Sequence, residues 1–232
     1  MSETPVTVPT HLGLILDGNR RWAREHNLEL MAGHRQGYQT LKTITRAAFE
    51  QGVSYVSAYV FSTENWNRSQ TEVRHLMRLL MWILKHEIEG FDREGVRLRV
   101  LGSKLRLGKA MLKAIHEAEQ RTADNTHGTL LLCLNYGGQQ EIVEATKRIV
   151  AAGYEPEEIT PELLSQFLYA PDVPPLDLLI RTSGEQRLSN FMLWEAAYSE
   201  LLFTKMHWPE FSKADLKAAL NEYAARQRRF GS

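Results

Sequence analysis

A strand-like apolar segment near the start of the chain runs directly into a cluster of charged and polar side chains. The segment LGLIL (12–16) is followed at once by Asp17, Gly18, Asn19, Arg20 and Arg21. Guanidinium groups bind phosphate oxygens through paired hydrogen bonds. A carboxylate beside them suits a divalent cation that also contacts a phosphate. This spacing is therefore typical of a site that binds a phosphorylated ligand together with a metal ion.

Three further predicted strands also end in polar loops. The loop that carries Asp17 is the first strand-end loop. The second follows a strand at 53–61, the third a strand at 129–134, and the last a strand at 176–180. Ligands of parallel sheets bind outside the carboxyl ends of the strands. Taken singly, a surface arginine is usually solvated and an aspartate after a strand often caps a helix. Four such loops together favour one convergent anion site, with these candidate residues: Ser62, Thr63, Glu64, Asn65, Trp66 and Arg68 in the second strand-end loop, and Arg181, Arg187, Leu188 and Ser189 in the last.

Strand-like and helix-like patterns alternate along the chain. This alternation predicts an α/β fold: a single domain with a central, mostly parallel sheet flanked by helices. We expect a flexible N-terminal segment over 1–10 and one domain over 11–232. The predicted strands are 12–16, 53–61, 96–102, 129–134 and 176–180, and the predicted helices are 36–52, 71–91, 104–125, 139–152 and 212–229.

The helix predicted over 71–91, with Thr71 as its cap, has an unusually wide apolar face. Met77, Met81 and Trp82 widen a stripe that a surface helix normally limits to about 100°. A helix buried in the core or in a dimer interface explains this pattern. A helix that lines a lipid tunnel explains it as well, and periodicity alone favours the first interpretation. The stripe itself consists of Leu76, Leu79, Leu80, Ile83, Leu84 and Ile88.

Composition excludes several classes of protein. The chain has 28 basic and 28 acidic residues among 232, whereas a broad nucleic-acid footprint needs a basic excess. The one cysteine, Cys133, excludes an internal disulfide and a metal–thiolate cluster. No apolar run approaches the roughly 20 residues of a membrane span, and the start has no signal-peptide pattern, so we expect a cytoplasmic protein. The Gly-Lys-Ser/Thr phosphate loop is absent, and Asn19 stands where an aspartyl-phosphate phosphatase would usually have a second acid.

The strand-end loops resemble the motifs of the cis-prenyltransferases, the family of undecaprenyl diphosphate synthase. The matching segments are HLGLILDGNRRWA, GHRQG, FSTENWNR, NYGG, RTSGEQRLSNFMLWEAAYSELLF and RRFG, in the family's order. The resemblance implies a homodimeric, Mg²⁺-dependent enzyme. It also implies that isopentenyl diphosphate is condensed with an allylic diphosphate to form a new cis double bond.

The resemblance also implies roles for individual residues. Asp17 would act in catalysis and bind the metal, and Asn65 would assist proton removal from isopentenyl diphosphate. Glu200 would be a second metal ligand. Arg229 and Gly231 match a C-terminal pattern that reaches toward diphosphate, in some members across the dimer. The implied substrate-binding residues are Gly18, Asn19, Arg20, Arg21, His34 and Arg68 around the diphosphates, Trp22 and Trp66 at the prenyl chain, Ser62, Thr63 and Glu64 in the second loop, and Arg181, Arg187, Leu188 and Ser189 around isopentenyl diphosphate.

Product length depends, in this family, on how far an apolar tunnel stays open. Val60, just before the Phe-Ser of the second loop, is intermediate between the small residues of longer-chain members and the bulky residues of short-chain ones. We expect a medium-length product such as undecaprenyl diphosphate, made from farnesyl diphosphate and delivered through peripheral membrane contact. The alternatives are a short-chain synthase, a head-to-middle coupling enzyme, and a non-catalytic accessory subunit. Accessory subunits tend to lose the aspartate and the arginines of the first and last loops, whereas this chain keeps Asp17, Arg181 and Arg187.

Overall fold

The computed structural model describes residues 8–226. Six strands alternate with helices along this part of the chain, as the sequence pattern predicts. The strands are β1 (His11–Ile15), β2 (Tyr55–Ser62), β3 (Val96–Leu101), β4 (Gly128–Tyr136), β5 (Leu178–Arg181) and β6 (Glu200–Phe203). The α-helices are α1 (Asn19–Glu25), α2 (Leu30–Glu50), α3 (Gln70–His86), α4 (Ile88–Arg93), α5 (Lys109–Arg121), α6 (Gly138–Ala151), α7 (Pro161–Gln166) and α8 (Lys213–Ala225).

The strands form one sheet in the order β3-β4-β2-β1-β5-β6, and every neighbouring pair is parallel. The predicted α/β class is thus confirmed, with a sheet that is parallel throughout. The register places Ile15 beside both Tyr59 and Arg181. The carboxyl ends of β1, β2 and β5 therefore meet at one edge of the sheet, where the polar loops begin.

Apolar side chains cover both faces of the sheet, as a parallel sheet requires. On one face, α2, α3, α4, α5 and α8 pack over a large cluster that includes Leu14, Ile44 and Trp208. The other face carries a smaller cluster around Leu131, Cys133 and Phe191. Cys133 is fully buried, so it acts as a core side chain. Across residues 8–226 no helix combines the length and apolar character needed to cross a bilayer.

Two glycines bring α1 and α2 into close contact. A Cβ atom at Gly33 would lie 2.0 Å from the backbone oxygen of Asn19, and one at Gly37 would lie 2.1 Å from the Asn19 Oδ1 atom. Any other residue at either position would displace α1. The indole N–H of Trp208 donates to the Gly37 carbonyl at 2.8 Å, which fixes α2 from a second side. The loop that carries Asp17 is thus anchored to α2.

Several elements differ from the sequence prediction, and α2 begins at Leu30 rather than at residue 36. Residues 19–25 form a helix where a polar loop is predicted, and 200–203 form a strand that the pattern does not reveal. The helix predicted over 71–91 breaks at Glu87 into α3 and α4. Ser69, rather than Thr71, caps α3, because its side chain accepts the Glu72 N–H at 3.3 Å. Most of the loop predicted over 62–70 is a 3₁₀ turn, Thr63–Asn67.

Candidate active site

A polar pocket of about 550 Å³ opens at the carboxyl edge of the sheet. Side chains from three strand-end loops converge there, as predicted for a parallel sheet. Arginine, carboxylate, amide and hydroxyl groups dominate its wall. The lining residues are Ile15, Leu16, Asp17, Tyr59, Ser62, Glu64, Asn65, Arg68, Arg181, Ser189 and Asn190.

Asp17 lies between two guanidinium groups at the centre of this pocket. Its Oδ2 atom accepts a hydrogen bond from Arg181 Nη2 at 3.0 Å, and its Oδ1 atom is 3.2 Å from Arg21 Nη2. The Gly18 N–H also donates to Oδ1, at 2.8 Å. These donors hold the carboxylate in one orientation, with its side chain 30% exposed to the pocket.

Arg181 is a buried donor fixed at the end of β5. Its side chain is 5% exposed, and Nη1 donates to Ser189 Oγ at 2.8 Å and to the Arg187 carbonyl. Its Nε atom is buried without a hydrogen-bond partner. A buried guanidinium usually satisfies its donors, so this spare donor indicates a site built to receive an anion.

A chain of hydrogen bonds supports the backbone of the first loop from behind. Gly18 has φ +104°, and a Cβ there would lie 2.7 Å from His207 Nδ1 and 2.8 Å from Ser183 Oγ. Ser183 Oγ and His207 Nδ1 are themselves 2.7 Å apart, and His207 Nε2 is 3.1 Å from Glu25 Oε1. These hydrogen bonds join the last loop, the segment after β6 and the end of α1 behind Gly18. They therefore hold the backbone that positions Asp17.

The second loop places its amide and its arginine at the same pocket. Asn65 Oδ1 accepts the Ser62 N–H at 3.1 Å, which closes a capping box at the start of the 3₁₀ turn. Arg68 is 2.9 Å from Glu72, and Arg20 reaches the same carboxylate at 3.5 Å. Glu72 therefore gathers two guanidiniums from different loops at one side of the pocket.

An apolar channel begins where the polar pocket ends. It encloses about 130 Å³ between α2, α3, α4 and the strands β2 and β4. Leu16, Tyr59, Asn65 and Arg68 line both spaces, so the two adjoin. The other channel-lining residues are Asn19, His34, Gly37, Tyr38, Leu41, Val60, Leu76, Leu79, Leu80, Ile83, Phe91, Leu130 and Leu132.

His34 lies at the junction of the channel and the pocket. Burial, with a further contribution from the positive charges of Arg68 and Arg20, lowers the pKa of this imidazole to about 4. The ring is therefore neutral at physiological pH. Its Nε2 atom is buried without a hydrogen-bond partner. His34 thus offers a neutral polar contact beside the arginines.

The structure does not bring all the predicted residues to these two spaces. Trp22 packs on His26 with 4.4 Å between ring centroids, and Trp66 donates to Asn135 Oδ1 at 2.7 Å and lines a separate groove between α3 and residues 106–111. Neither tryptophan lines the pocket or the channel. The same holds for the other predicted residues Gly18, Arg20, Arg21, Thr63, Arg187 and Leu188.

Glu200 does not share a metal with Asp17 within one chain, contrary to what the resemblance implies. It begins β6 and pairs in register with Leu178, which in turn lies beside Leu12. That is the amino edge of the sheet, whereas Asp17 follows the carboxyl edge. Glu200 instead binds Arg226, with 2.7 Å between Oε2 and Nη1. Arg229 and Gly231 lie outside the described residues.

The Asp17 carboxylate fits a magnesium ion that a substrate helps to hold. Mg²⁺ commonly takes one or two protein carboxylates, and waters and substrate phosphates complete its shell. Among the described residues no three His, Cys, Asp or Glu side chains are grouped as a self-sufficient metal site. The surrounding arginines favour the diphosphate that would supply the remaining ligands.

Comparison with known proteins matches this arrangement to one family. Residues 15–231 match the family model described as "Putative undecaprenyl diphosphate synthase". The chain belongs to the undecaprenyl diphosphate synthase family, the cis-prenyltransferases. The predicted class of enzyme, one that transfers prenyl groups, is thereby confirmed.

Curated relatives of similar length support the assignment. An isoprenyl transferase from Zymomonas mobilis is 47% identical over 97% of this chain and 92% of its own length. One from Thermotoga maritima is 44% identical and covers 97% of both chains. The decaprenyl diphosphate synthase of Mycobacterium leprae is 45% identical over 97% of this chain and 77% of its own.

Two solved structures share the fold over 97% of the chain. Lavandulyl diphosphate synthase from Lavandula x intermedia, in complex with dimethylallyl diphosphate, superposes with a TM-score of 0.93 at 34% identity and is covered to 99%. A probable undecaprenyl diphosphate synthase from Campylobacter jejuni superposes with a TM-score of 0.84 at 31% identity and is covered completely.

Sequence reasoning missed several residues of the site. Tyr59 lines both spaces and donates to the Tyr136 carbonyl at 3.2 Å, although the pattern shows it only as a strand residue. Asn190 fixes Glu64 through a 2.9 Å hydrogen bond. His207 follows a strand too short to recognise. Only Asn190, directly after Ser189 in a polar loop, carried a signal that a closer interpretation would have used.

Proposed function

We propose that this chain condenses isopentenyl diphosphate with an allylic diphosphate, farnesyl diphosphate by preference, and repeats the addition to a medium-length cis-polyprenyl diphosphate. One observation carries the proposal: the arginine-lined pocket adjoins the apolar channel, and Tyr59, Asn65 and Arg68 belong to the walls of both. A molecule with a diphosphate at one end and a hydrocarbon chain at the other fits both spaces at once.

Diphosphate binding and departure are the tasks of the polar pocket. When the allylic carbon–oxygen bond breaks, negative charge grows on the leaving diphosphate. Arg181, Arg21 and Arg68 stabilise that charge. Because these donors are already held in place, they need little reorganisation during the reaction. A Mg²⁺ ion held by Asp17 would supply further Lewis-acid stabilisation when bound.

Carbon–carbon bond formation and proton loss take place at the mouth of the channel. The new bond joins isopentenyl diphosphate to the allylic carbon that loses its diphosphate, and one proton then leaves the adduct to form the double bond. The Asn65 amide is a weak base, so its task is orientation. An oxygen of the departing diphosphate accepts the proton. The apolar channel walls keep water from the allylic cation.

A product assay tests the function. Purified protein is supplied with labelled isopentenyl diphosphate and farnesyl diphosphate, with magnesium or with a chelator. We expect a magnesium-dependent ladder of products that ends at a medium chain length. A single addition would indicate a short-chain synthase, and the absence of product with every allylic primer would indicate an accessory subunit.

The similarity to lavandulyl diphosphate synthase favours one further candidate, head-to-middle coupling of two allylic diphosphates. Dimethylallyl diphosphate supplied alone distinguishes the two reactions, because chain elongation needs isopentenyl diphosphate. We expect no product from dimethylallyl diphosphate alone, since the channel offers room for a chain beyond the junction with the pocket.

We also propose a homodimer formed at β6. Within residues 8–226 this edge strand pairs only with β5, and its Leu201, Leu202 and Phe203 are half-buried. An edge strand presents backbone groups that can pair with another chain, although Arg226 Nη1 already donates to the Leu201 carbonyl at 3.1 Å. Light scattering should give twice the 26.6 kDa chain mass, and a mass of one chain would contradict the proposal.

A further inference from the structure

An apolar groove on the surface, separate from the channel, runs between α3 and residues 106–111. We call it the outer groove. It measures about 510 Å³, and its apolar walls include Met77, Met81, Leu107 and Met111. Beside it Leu105 is 68% exposed, and the Trp82 side chain on its rim is 44% exposed. Large apolar side chains left in water in this way mark an interaction surface.

The charges around the outer groove are all of one sign. Arg78, Lys85 and Arg106 line it, and no acidic side chain does. Lys104 and Lys109 are exposed on the segment that borders it. The whole chain is neutral, so this basic rim is a local feature. A partner surface that complements this groove has negatively charged groups on its outside and an apolar layer beneath them.

A different side of α3, formed by Leu76, Leu79, Leu80 and Ile83, is a wall of the channel. Tyr38 and Leu79 line the channel, and together with Trp82 they line a shallow surface depression between α2 and α3. The Tyr38 ring meets the Trp82 ring edge-on, with 6.4 Å between centroids. One layer of side chains thus separates the channel from the surface beside the outer groove.

We propose that the outer groove, with Trp82 and its basic rim, docks the protein on the surface of an anionic phospholipid bilayer. Indole rings prefer the interface between lipid headgroups and hydrocarbon. Lysine and arginine stems lie along apolar surface while their charges reach phosphates. This inference deepens the proposed function and rests on it in one respect: docking on this face would place the channel wall against the membrane that receives a long prenyl product.

Vesicle sedimentation tests the proposal. The full chain is mixed with vesicles of phosphatidylcholine alone, or with added phosphatidylglycerol, and the bound fraction is measured at low and high salt. We expect binding only to the anionic vesicles, weakened by salt. Each basic side chain near such a surface contributes about 1 kcal/mol, so R78E/K85E should lower the partition constant by about tenfold or more. W82A should weaken binding at both salt concentrations.

Matched changes on another face provide the control. Lys147 and Val150 are exposed on α6, so K147E and V150A repeat the loss of charge and of apolar surface there. These variants should sediment like the wild type. Because K147E reverses one charge, it is compared with the single variant R78E. Equal loss in these two would overturn the proposal, because it would show a response to net charge alone. Absence of wild-type binding to anionic vesicles would overturn it too.

Two further readouts separate this inference from its alternatives. R78E/K85E should retain prenyl transfer to a short, water-soluble primer, since neither residue lines the pocket or the channel. Vesicle binding without any prenyl transfer in the wild type would refute the proposed function and leave the docking surface standing. A change of oligomeric mass in R78E/K85E would assign the groove to contact between two copies and overturn lipid docking.

Discussion

Asp17 is the residue whose replacement should cost the most activity. Two guanidiniums and one backbone N–H hold its carboxylate in the pocket. We expect Asp17→Ala to lower kcat/KM by about 10³-fold, because it removes the proposed metal ligand and releases Arg21 and Arg181. Steady-state kinetics at saturating magnesium measure this. Asp172→Ala is the control, since that carboxylate also pairs with one arginine, Arg99, but away from the pocket. Normal turnover in Asp17→Ala would contradict the assignment.

His207 should act on the reaction through its support of the first loop. Its ring bridges Ser183 and Glu25 behind Gly18. His207→Ala removes both bonds, so the loop loses order that substrate binding must restore. We expect KM for the allylic substrate to rise by about tenfold, the equivalent of one net hydrogen bond, with kcat less affected. His127→Ala, in the turn before β4, is the control. A tenfold fall in kcat with KM unchanged would refute this positioning role.

The space that β2, α2 and α3 leave in the channel should set the product length, and Val60 is the residue at which this can be tested. It lies on β2 and lines the channel beside Tyr59. Val60→Phe adds a ring where α2 and α3 leave limited room, so the growing chain should meet an obstacle earlier. We expect shorter products with at most about 1–3 kcal/mol of lost stability. Val60→Ile is the conservative control. Chromatography of the labelled products reads out chain length, and an unchanged ladder in Val60→Phe would exclude this wall as a determinant.

Hydrophobic pattern explains which elements were predictable. The buried strands β1, β4 and β5 carry apolar residues at the period of a strand, so the sequence locates them within a few residues. The amphipathic pattern of α2 also reveals that helix, but it places the start at residue 36 rather than at Leu30. Helix α1 has one buried residue, Ala23, and therefore no apolar stripe. It is held by its contacts with Gly33 and Gly37 of α2. Such long-range contacts leave no periodic signal.

The candidate site shows the same division. Residues in strand-end loops, such as Asp17, Asn65 and Arg181, were predictable because the parallel sheet brings all its carboxyl ends to one edge. Which loop side chains face the pocket was not predictable. Trp66 turns to Asn135 and Arg106 instead, a choice decided by three-dimensional packing. Glu200 was misplaced because β6 has only four residues, and their register sets it at the opposite edge.

Two buried carboxylates should control the pH dependence of the whole molecule's stability. Burial, and the negative charge of Glu141 beside it, raise the pKa of Glu195 well above the ordinary carboxyl value of 4.5. Burial likewise raises the pKa of Glu141, although its hydrogen bonds from Tyr136 and from the Tyr169 N–H, and the charge of Arg148, oppose this. One Glu195 oxygen, Oε2, is buried without a hydrogen-bond partner. The folded state therefore keeps a proton that the unfolded chain releases above pH 4.5.

The sign of the effect follows from that difference in bound protons. A carboxyl whose pKa is raised on folding stabilises the fold at low pH, and this contribution declines as the pH rises toward the folded-state value. Burial lowers the pKa of His11 and His34 to about 4, so these two imidazoles oppose the effect below their ordinary pKa of 6.5. We expect the free energy of unfolding to fall between pH 6.5 and 8, at up to about 1.4 kcal/mol per pH unit for one proton. Glu195→Gln should flatten this slope, as measured by urea unfolding at several pH values. Exposed Glu162→Gln is the control, and an unchanged slope in Glu195→Gln would refute the assignment.

The contact of Asn19 with the two glycines of α2 has a consequence for how the protein selects a primer. Asn19 begins α1 directly after the loop that carries Asp17, and it contacts Gly33 and Gly37 of the helix that forms a wall of the channel. A shift of either partner must move the other. Binding of the charged head and binding of the hydrocarbon tail should therefore be mechanically coupled. The affinity for a primer would then depend on the whole molecule rather than on the sum of two independent parts.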